Sequence, residues 1–423
     1  MKPLTLGAVA IGVAMLGGVW LFMSNQKPDA SQALSQTNQP NPALTHSANQ
    51  FAFNLFKELL DPQAQKAQRA PTVVHEQSPN FVLSPLGVQF VLTLLLNGAE
   101  GQTYQEIAHA LGFQNASLNE INQYHLNIQQ ALRRWQAESK LVLANSIWIS
   151  PSDRLHPDFA RVGSTSYALE VYKVDFANSV EAVRRINEWG KRKTQGFIPE
   201  VLTPSEVDAE TILAVLNALY LQAQWRQPFE VADYEMDFNP EAGKPIRFRP
   251  MEADLEDALY AQTDLGQIVG VPYRGADWLC YVVLPREGLR VREVIEQLDA
   301  ERWREWLAQM KPQKVHLVMP RFELRKEYDL VPALQRLGIQ RAFNPKTAEF
   351  PRILANQGGG YIELFKQVAR IRVDERGTEA GAVTVATMEL SEVVVVNRPF
   401  LFVVADRSSG VILFLGVVYQ PEG

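Results

Sequence analysis

The sequence predicts an α+β fold, and two observations lead to this prediction. Segments whose apolar residues follow helical spacing dominate the early part of the chain, whereas short β-rich runs dominate the later part. Helices and strands that are segregated in this way are typical of α+β proteins. No second linker divides the chain after Asn49, and 46% of all residues are hydrophobic, so we expect one large domain with a buried core.

Composition excludes several classes of function. The chain has 423 residues, and its 41 Lys and Arg against 47 Asp and Glu give a formal net charge of −6. This balance argues against a nucleic-acid-binding arm and a polybasic membrane patch, because both need clustered positive charge. A single cysteine, Cys280, excludes an intramolecular disulfide and a multi-cysteine metal site. The six histidines form no H-E-x-x-H motif, so the sequence predicts neither a metal centre nor a cofactor.

The N-terminal residues 4–23 are nearly all apolar and carry no charge. As a helix they would span about 30 Å, the thickness of the hydrocarbon core of a bilayer. We expect residues 1–23 to be either a signal peptide or an uncleaved membrane anchor, and both alternatives predict an extracytoplasmic protein, secreted or anchored facing outwards. Residues 24–48 are rich in Ser, Gln, Asn, Pro and Ala and are expected to be a flexible linker, so the folded domain is predicted to span residues 49–423.

The elements of this domain follow from the spacing of apolar residues and from turn signals. Helical spacing predicts helices at residues 54–60, 85–96, 118–139 and 179–194. Asn97-Gly98 and Gly196 indicate the ends of the second and fourth of these helices. Short β-rich runs predict strands at residues 81–83, 141–149, 211–222, 278–284, 315–319, 361–373, 393–396 and 401–404. Residues 61–79 are expected to form a polar loop, and Cys280 to be an unreactive core residue.

An unusual segment follows the predicted strand at residues 361–373. After charged residues and Gly377, every second residue is small or apolar: Thr378, Ala380, Ala382, Thr384, Ala386 and Met388. This is the period of a strand with a small-residue inner face, whereas a surface loop normally favours Pro, Asn and Asp. The pattern alone favours an ordinary strand of a sheet, and the motifs around it change that interpretation.

Six motifs, in this order, resemble those of the serpins, the serine protease inhibitor family, from about residue 51 to residue 421. They are Asn80-Phe-Val-Leu-Ser-Pro85 with Leu95-Leu-Asn-Gly-Ala-Glu-Gly-Gln-Thr103; Leu143-Ala-Asn-Ser-Ile-Trp148; Ile186-Asn-Glu-Trp189 with Thr194-Gln-Gly196; Leu216-Asn-Ala-Leu-Tyr220 with Trp225; Val373-Asp-Glu-Arg-Gly-Thr-Glu-Ala380; and Asn397-Arg-Pro-Phe-Leu-Phe402 with Gly410-Val-Ile-Leu-Phe-Leu-Gly416. Each motif is weak by itself, and the ordered set is highly specific.

The resemblance implies the serpin fold, with three β-sheets, about eight or nine helices and an exposed reactive-centre loop in one domain. It implies a monomeric suicide-substrate inhibitor rather than an enzyme, whose partner is a serine protease, or a cysteine protease, held as a covalent acyl complex. The cleaved loop then inserts into the main sheet as a new strand. The implied hinge consists of Glu375, Gly377, Thr378, Glu379, Ala380, Gly381, Ala382, Val383 and Thr384.

The resemblance also implies a set of residues that control the opening of the main sheet: Ser84, Asn217, Trp225 and Gln367. The sequence departs from the family pattern at two of these positions, since Gly87 replaces a second serine and Gln367 replaces a histidine. A glutamine can both donate and accept hydrogen bonds, so a bonded cluster is still expected. Trp225 has two interpretations of equal weight, a role at the site where insertion begins and plain core packing.

The reactive bond is predicted to be Leu390-Ser391, with Met388-Glu389 and Ser391-Glu392 as alternatives. No Lys or Arg lies between Gly377 and Val396, which argues against a trypsin-like target and leaves chymotrypsin-, elastase- and subtilisin-like proteases. No G-x-S-x-G motif indicates a hydrolase. The alternative function is that of a non-inhibitory serpin acting as a binding or chaperone module, which bulky, charged or proline residues in the hinge would favour.

Overall fold

A computed structural model describes residues 40–61, 80–136, 139–208, 211, 213–275, 277–355, 360–375 and 392–421. Within them lie nine α-helices, which are α1 (Pro42–Leu60), α2 (Pro85–Leu96), α3 (Gly101–Leu111), α4 (Leu118–Gln136), α5 (Pro157–Ser166), α6 (Ser179–Lys193), α7 (Val291–Gln297), α8 (Ala300–Gln309) and α9 (Val331–Arg336). Short 3₁₀ turns occur at Pro204–Glu206 and Arg341–Phe343. The predicted N-terminal signal or anchor, residues 1–23, lies outside the described residues.

The same part of the chain forms sixteen strands. They are β1 (Phe81–Leu83), β2 (Ser139–Ile149), β3 (Leu169–Lys173), β4 (Leu213–Ala223), β5 (Glu230–Val231), β6 (Met236–Phe238), β7 (Ile246–Phe248), β8 (Met251–Gln262), β9 (Gly266–Pro272), β10 (Trp278–Pro285), β11 (Lys311–Met319), β12 (Phe322–Asp329), β13 (Leu364–Val373), β14 (Glu392–Val395), β15 (Phe400–Asp406) and β16 (Ile412–Val418). This mixture of helices and strands confirms the predicted α+β class.

The described strands form three sheets. The largest has the order β1-β16-β15-β10-β9-β8-β11-β14, with β5 paired to β8. The second is five-stranded, with the order β12-β13-β4-β2-β3, and the third is the β6-β7 hairpin. Most neighbours are antiparallel, but β4 and β13 run parallel, as do β2 and β3 and the pair β11 and β14.

Two hydrophobic clusters flank the five-stranded sheet. The larger contains residues of α1 to α4 and of the nine-stranded sheet, and all twelve residues of α2 are buried. A helix that is apolar all round is expected in such a central position. The smaller cluster lies between the sheet and α6, and includes Trp189 of α6, Trp148 of β2 and Val368 of β13. Each face of the sheet therefore packs against one of the two clusters.

The first helix corrects the predicted boundary of the domain. Helix α1 begins at Pro42, and Asn41 caps it by accepting a bond from the amide of Ala43 at 2.9 Å. Leu44 and Ala48 are buried in the core, so residues 42–48 belong to the folded domain and not to the linker. The polar composition before Asn49 hid the helix because its buried residues are few and its cap and first proline resemble loop signals.

Helix α4 is shorter than predicted. The spacing predicted a helix to Ser139, but α4 ends at Gln136 and Ser139 already pairs with Ala223 in the sheet. The strand prediction for the adjacent segment was correspondingly two residues too short.

Among the described residues, no helix is long and apolar enough to cross a membrane.

Candidate functional site

The boundary between β4 and β13 is the centre of the candidate site, and we call it the seam. These two strands are far apart in the chain but adjacent in the five-stranded sheet, with Gln367 directly opposite Asn217. They run parallel, and parallel pairing is slightly less stable per residue than antiparallel pairing. Strand β13 then ends at Val373 and leads into the segment singled out in the sequence.

Three of the predicted sheet-opening residues meet at the seam. Gln367 accepts a bond from the amide of Ser84 at 3.0 Å and donates to the carbonyl of Ser84 at 2.8 Å. Its Nε2 also donates to Asn217 Oδ1 at 2.8 Å. The hydroxyl of Ser84 donates to the carbonyl of Leu413 at 2.6 Å. Because Ser84, Asn217 and Gln367 are fully buried, these bonds connect the start of α2, both strands of the seam and β16 without competition from water.

A fourth member, Asn145, was not predicted as a site residue. Its Oδ1 accepts a bond from Asn217 Nδ2 at 2.7 Å, and its Nδ2 donates to the carbonyl of Tyr167 at 3.2 Å. Asn145 and Asn217 lie opposite each other in the β2–β4 register. The sequence shows an asparagine in each of two apolar strands, but only the register of β2 and β4 shows that the two side chains are paired.

Gly87 is explained by this cluster. A Cβ atom at Gly87 would lie 2.3 Å from Asn217 Oδ1 and 2.5 Å from a methyl group of Leu219, closer than real contacts allow. The glycine therefore allows the Asn217 amide to approach the first turn of α2. In this chain the space that a serine at this position would need is taken by Asn217.

Trp225 lies at the other end of β13, away from the Gln367 cluster. Its Nε1 donates to the carbonyl of Asp374 at 2.8 Å, one residue after β13 ends. Its ring stacks on Tyr273 with centroids 4.6 Å apart, and Tyr273 in turn packs on Trp135. Trp225 therefore packs in the core and also holds the backbone that follows β13, and its role in loop insertion stays a prediction.

Charged groups surround this base. Arg372 pairs with Asp374 at 2.9 Å, and Arg321 lies 3.7 Å from Glu375, the first residue of the predicted hinge. The rest of the hinge, from Gly377 to Thr384, and the predicted reactive bond Leu390-Ser391 lie outside the described residues. Strand β14 begins at Glu392 and pairs with β11, so residues 376–391 connect the five-stranded sheet to the nine-stranded sheet.

The cysteine and the possible metal ligands of the described residues lie outside the Gln367 cluster. Cys280 is fully buried, and burial raises the pKa of its thiol to about 12, which keeps it protonated and unreactive. Within the described residues, no group of three or more His, Cys, Asp or Glu side chains could hold a metal ion.

Comparison with known proteins decides the family. A family model of the serpins (serine protease inhibitors) matches residues 46–421. The chain belongs to the serpin family. It is 30% identical to the cattle (Bos taurus) protein Serpin A3-1 over 90% of its own length and 89% of that relative. The fold also matches native protease nexin-1 crystallised with heparin, with a TM-score of 0.78, 23% identity and coverage of 90% of this chain and all of the other.

A second solved structure, that of native tengpin, a thermophilic serpin, has a TM-score of 0.75 and 28% identity over 89% of this chain and 94% of its own. These matches confirm the resemblance drawn from the six motifs and the predicted serpin fold. Members of this family are mostly protease inhibitors rather than catalysts. We therefore examine whether the seam could take part in protease inhibition.

Proposed function

We propose that this serpin is a suicide-substrate inhibitor of serine endopeptidases that uses the seam to receive its own cleaved loop. The proposal rests on one observation, the direct parallel pairing of β4 with β13. The loop begins at the end of β13. A segment that turns back from β13 runs antiparallel to both strands. Its entry would replace one parallel pair by two antiparallel pairs, which are the more stable kind.

The energetics favour this change. A new central strand gains on the order of ten ladder hydrogen bonds, each worth roughly 1 kcal/mol net, which is comparable to the stability of a whole domain. The alternate residues Thr378, Ala380, Ala382 and Thr384 would all point to the same face of the new strand, and they are small enough to be buried there. At roughly 3.3 Å per residue, an inserted strand from Glu375 to Leu390 spans about 50 Å, which is enough to carry the protease across the domain.

The chemistry is that of an interrupted proteolysis. The protease serine attacks the carbonyl carbon of Leu390, the bond to Ser391 breaks, and the protease histidine transfers the proton to the leaving amine. The acyl-enzyme is then moved together with the inserting loop. A misplacement of about 1 Å in the protease active site can reduce the rate about 10²-fold, so hydrolysis of the ester becomes slow compared with insertion.

The target follows from the loop residues. A large apolar side chain at Leu390 and the absence of Lys and Arg from residues 378–395 favour a chymotrypsin-, elastase- or subtilisin-like protease. The apolar residues 4–23 favour a location outside the cytoplasm, with the chain either secreted or anchored in a membrane. Such a location would give the chain access to extracytoplasmic proteases.

The test mixes the purified full-length chain with chymotrypsin, pancreatic elastase and subtilisin, followed by denaturing gels and intact mass spectrometry. We expect a complex that survives denaturant and a released peptide that begins at Ser391. The variant Leu390→Arg is the control for the position of the bond, because it should transfer complex formation to trypsin. Cleavage without a complex, with the protease left active, would contradict inhibition and favour the binding or chaperone alternative.

A further inference from the structure

The segment between α6 and β4 crosses the outer face of the five-stranded sheet, and we call residues 197–206 the strap. Ile198, Val201 and Leu202 of the strap are buried in the smaller hydrophobic cluster with α6. Asn187 of α6 also holds it, since its Oδ1 accepts a bond from the amide of Val201 at 2.7 Å. The strap is therefore fastened to α6 at its beginning and leads towards β4 at its end.

Phe197 contacts both sides of the seam. Its ring stacks on Tyr220 of β4, with centroids 4.0 Å apart and planes inclined by 12°. The guanidinium carbon of Arg370 in β13 lies 5.5 Å from the centre of the same ring, and Arg370 also donates to the carbonyl of Phe197. Tyr220 and Arg370 are directly opposite each other in the register of the two strands. One ring thus bridges the two strands.

Two further cations beyond the seam bind the strap. Lys366 of β13 donates to Glu206 Oε1 at 2.7 Å, and its side chain is only 8% exposed. Arg325 of β12 donates to the carbonyl of Glu200 at 3.0 Å. Lys366 also lies 3.5 Å from Glu327 of β12, so it stays neutralised on its own side of the seam when Glu206 moves away.

These contacts join the two halves of the sheet. Helix α6 belongs with the half formed by β3, β2 and β4, because Trp189 Nε1 donates to Glu170 of β3 at 2.9 Å and Lys193 pairs with the same carboxylate. A strand that enters the seam separates β4 from β13 by one further strand spacing, about 4.8 Å. Hydrogen bonds of 2.7 to 3.0 Å between the strap and the other half do not survive such a displacement.

We propose that Phe197, Arg370 and Lys366 form a latch across the seam and that this latch sets the rate of loop insertion. This inference rests on the proposed inhibitory function and deepens it. Insertion competes with hydrolysis of the acyl-enzyme, so the strength of the latch determines what fraction of the protease is trapped. A weaker latch also lets the intact chain insert its own loop without any protease. The three residues act on the position of the strands and do not touch the reacting bond.

The test uses the full-length chain and the variants Phe197→Ala, Arg370→Met and the double variant. The first readout is the half-time, on mild heating without protease, of conversion to a form that resists concentrated urea. The second is the fraction of chymotrypsin encounters that end in a stable complex rather than a cleaved product. We expect each single variant to shorten the half-time about fivefold or more and to raise the trapped fraction.

The double variant separates a latch from general destabilisation. Phe197 and Arg370 share the ring contact, and Arg370 also donates to the backbone carbonyl of Phe197, so the double variant should be faster than either single variant but slower than the product of the two single effects, whereas two independent losses would multiply. Phe197→Tyr keeps an aromatic ring at this position, so its half-time should equal that of the unaltered chain. Arg184→Met removes an arginine of α6 that pairs with Glu181 and Glu188, and it should leave the half-time unchanged.

Two outcomes overturn the inference. If the unaltered chain traps protease but Phe197→Ala and Arg370→Met convert at its rate, the latch is wrong and the proposed function stands. If the unaltered chain itself gains no resistance after loop cleavage and forms no complex, the proposed function fails and the latch fails with it.

Discussion

Gln367 is the side chain whose replacement should destabilise the closed sheet most. It forms three buried bonds, and the change Gln367→Leu would leave the amide and carbonyl of Ser84 and the Oδ1 of Asn217 each without this partner. A buried polar group that loses its partner costs about 1 to 3 kcal/mol. We expect the free energy of unfolding to fall by roughly 2 to 5 kcal/mol, as measured by urea denaturation.

Two comparison variants sharpen this test. Gln105→Leu changes an exposed glutamine of α3 and should cost less than about 0.5 kcal/mol. Gln367→His should be intermediate at alkaline pH, because a neutral imidazole keeps one donor and one acceptor, and worse in acid, where its acceptor is lost. Equal stability of Gln367→Leu and the unaltered chain would show that the cluster does not stabilise the closed sheet.

His125 makes the stability of the chain depend on pH. Its ring is fully buried in α4 against Phe90, Tyr124 and Tyr167, and burial lowers its pKa to about 3. Burial raises the pKa of both tyrosines, so they stay neutral and offer no charge to compensate. In the unfolded chain this pKa is about 6.5, so below pH 6.5 the unfolded chain binds a proton at His125 that the folded chain does not bind. Stability is therefore lost as the pH falls from 6.5 towards 3.

The loss from His125 should approach about 1.4 kcal/mol for each pH unit below 6.5, or about 2 kcal/mol at pH 5. His125→Leu should remove this part of the slope when the free energy of unfolding is measured from pH 7 to pH 5. His109→Leu, at an exposed position of α3, should keep it. An unchanged slope in His125→Leu would mean that the imidazole is not held neutral in the folded chain.

At the scale of elements, α1 shows where the folded domain begins. A chain that starts at Asn49 lacks the Asn41 cap and the buried Leu44 and Ala48. It also disrupts the bond that Gln89 donates to the carbonyl of Ala48 at 2.7 Å. Loss of a cap and of this apolar burial should cost about 3 kcal/mol relative to a chain that starts at Pro40. Urea denaturation of the two variants measures the difference, and a chain starting at residue 24 should match the one starting at Pro40.

The sequence predicted elements better than their ends. The strand at 278–284 and the helix at 85–96 were correct to within one residue because apolar runs of these lengths have few other uses. The strand predicted at 361–373 begins at Leu364, and the end of α4 was placed three residues too late. Such boundaries depend on which partner strand is within reach, and local spacing contains no information about that.

The candidate site was predictable only through the family motifs. Ser84 and Gln367 lie at opposite ends of the domain sequence, and no local pattern joins them. The motifs placed both at serpin positions, Ser84 with the residue type of the family and Gln367 with a glutamine in place of the histidine. Asn145, Arg370 and Lys366 were not predicted as site residues. The role of Asn145 follows from strand register, and the roles of the two cations follow from the path of the strap across the sheet. Contacts between distant segments are a property of the folded chain as a whole.

The inner face of the inserted strand determines which loop residues must be small and uncharged if the whole chain is to trap a protease. Insertion would bury Ala380 in the seam and leave Glu379 on the other side of the strand, since side chains alternate with a period of two. On the face of the sheet that carries Asn217 and Gln367, the seam is lined by uncharged groups, and an unpaired charge buried there costs several kcal/mol. Ala380→Arg should therefore be cleaved by chymotrypsin without forming a stable complex.

Glu379→Arg is the matched control, because it adds the same side chain one residue away on the opposite face. It should form the complex as the unaltered chain does, and its melting temperature should rise on cleavage by on the order of 10 °C or more. Cleaved Ala380→Arg should show no such rise. The reverse result, with Glu379→Arg blocked and Ala380→Arg active, would shift the register of insertion by one residue and place Glu379 and Gly381 on the inner face. Complexes from both variants would show that the loop does not enter the seam at all.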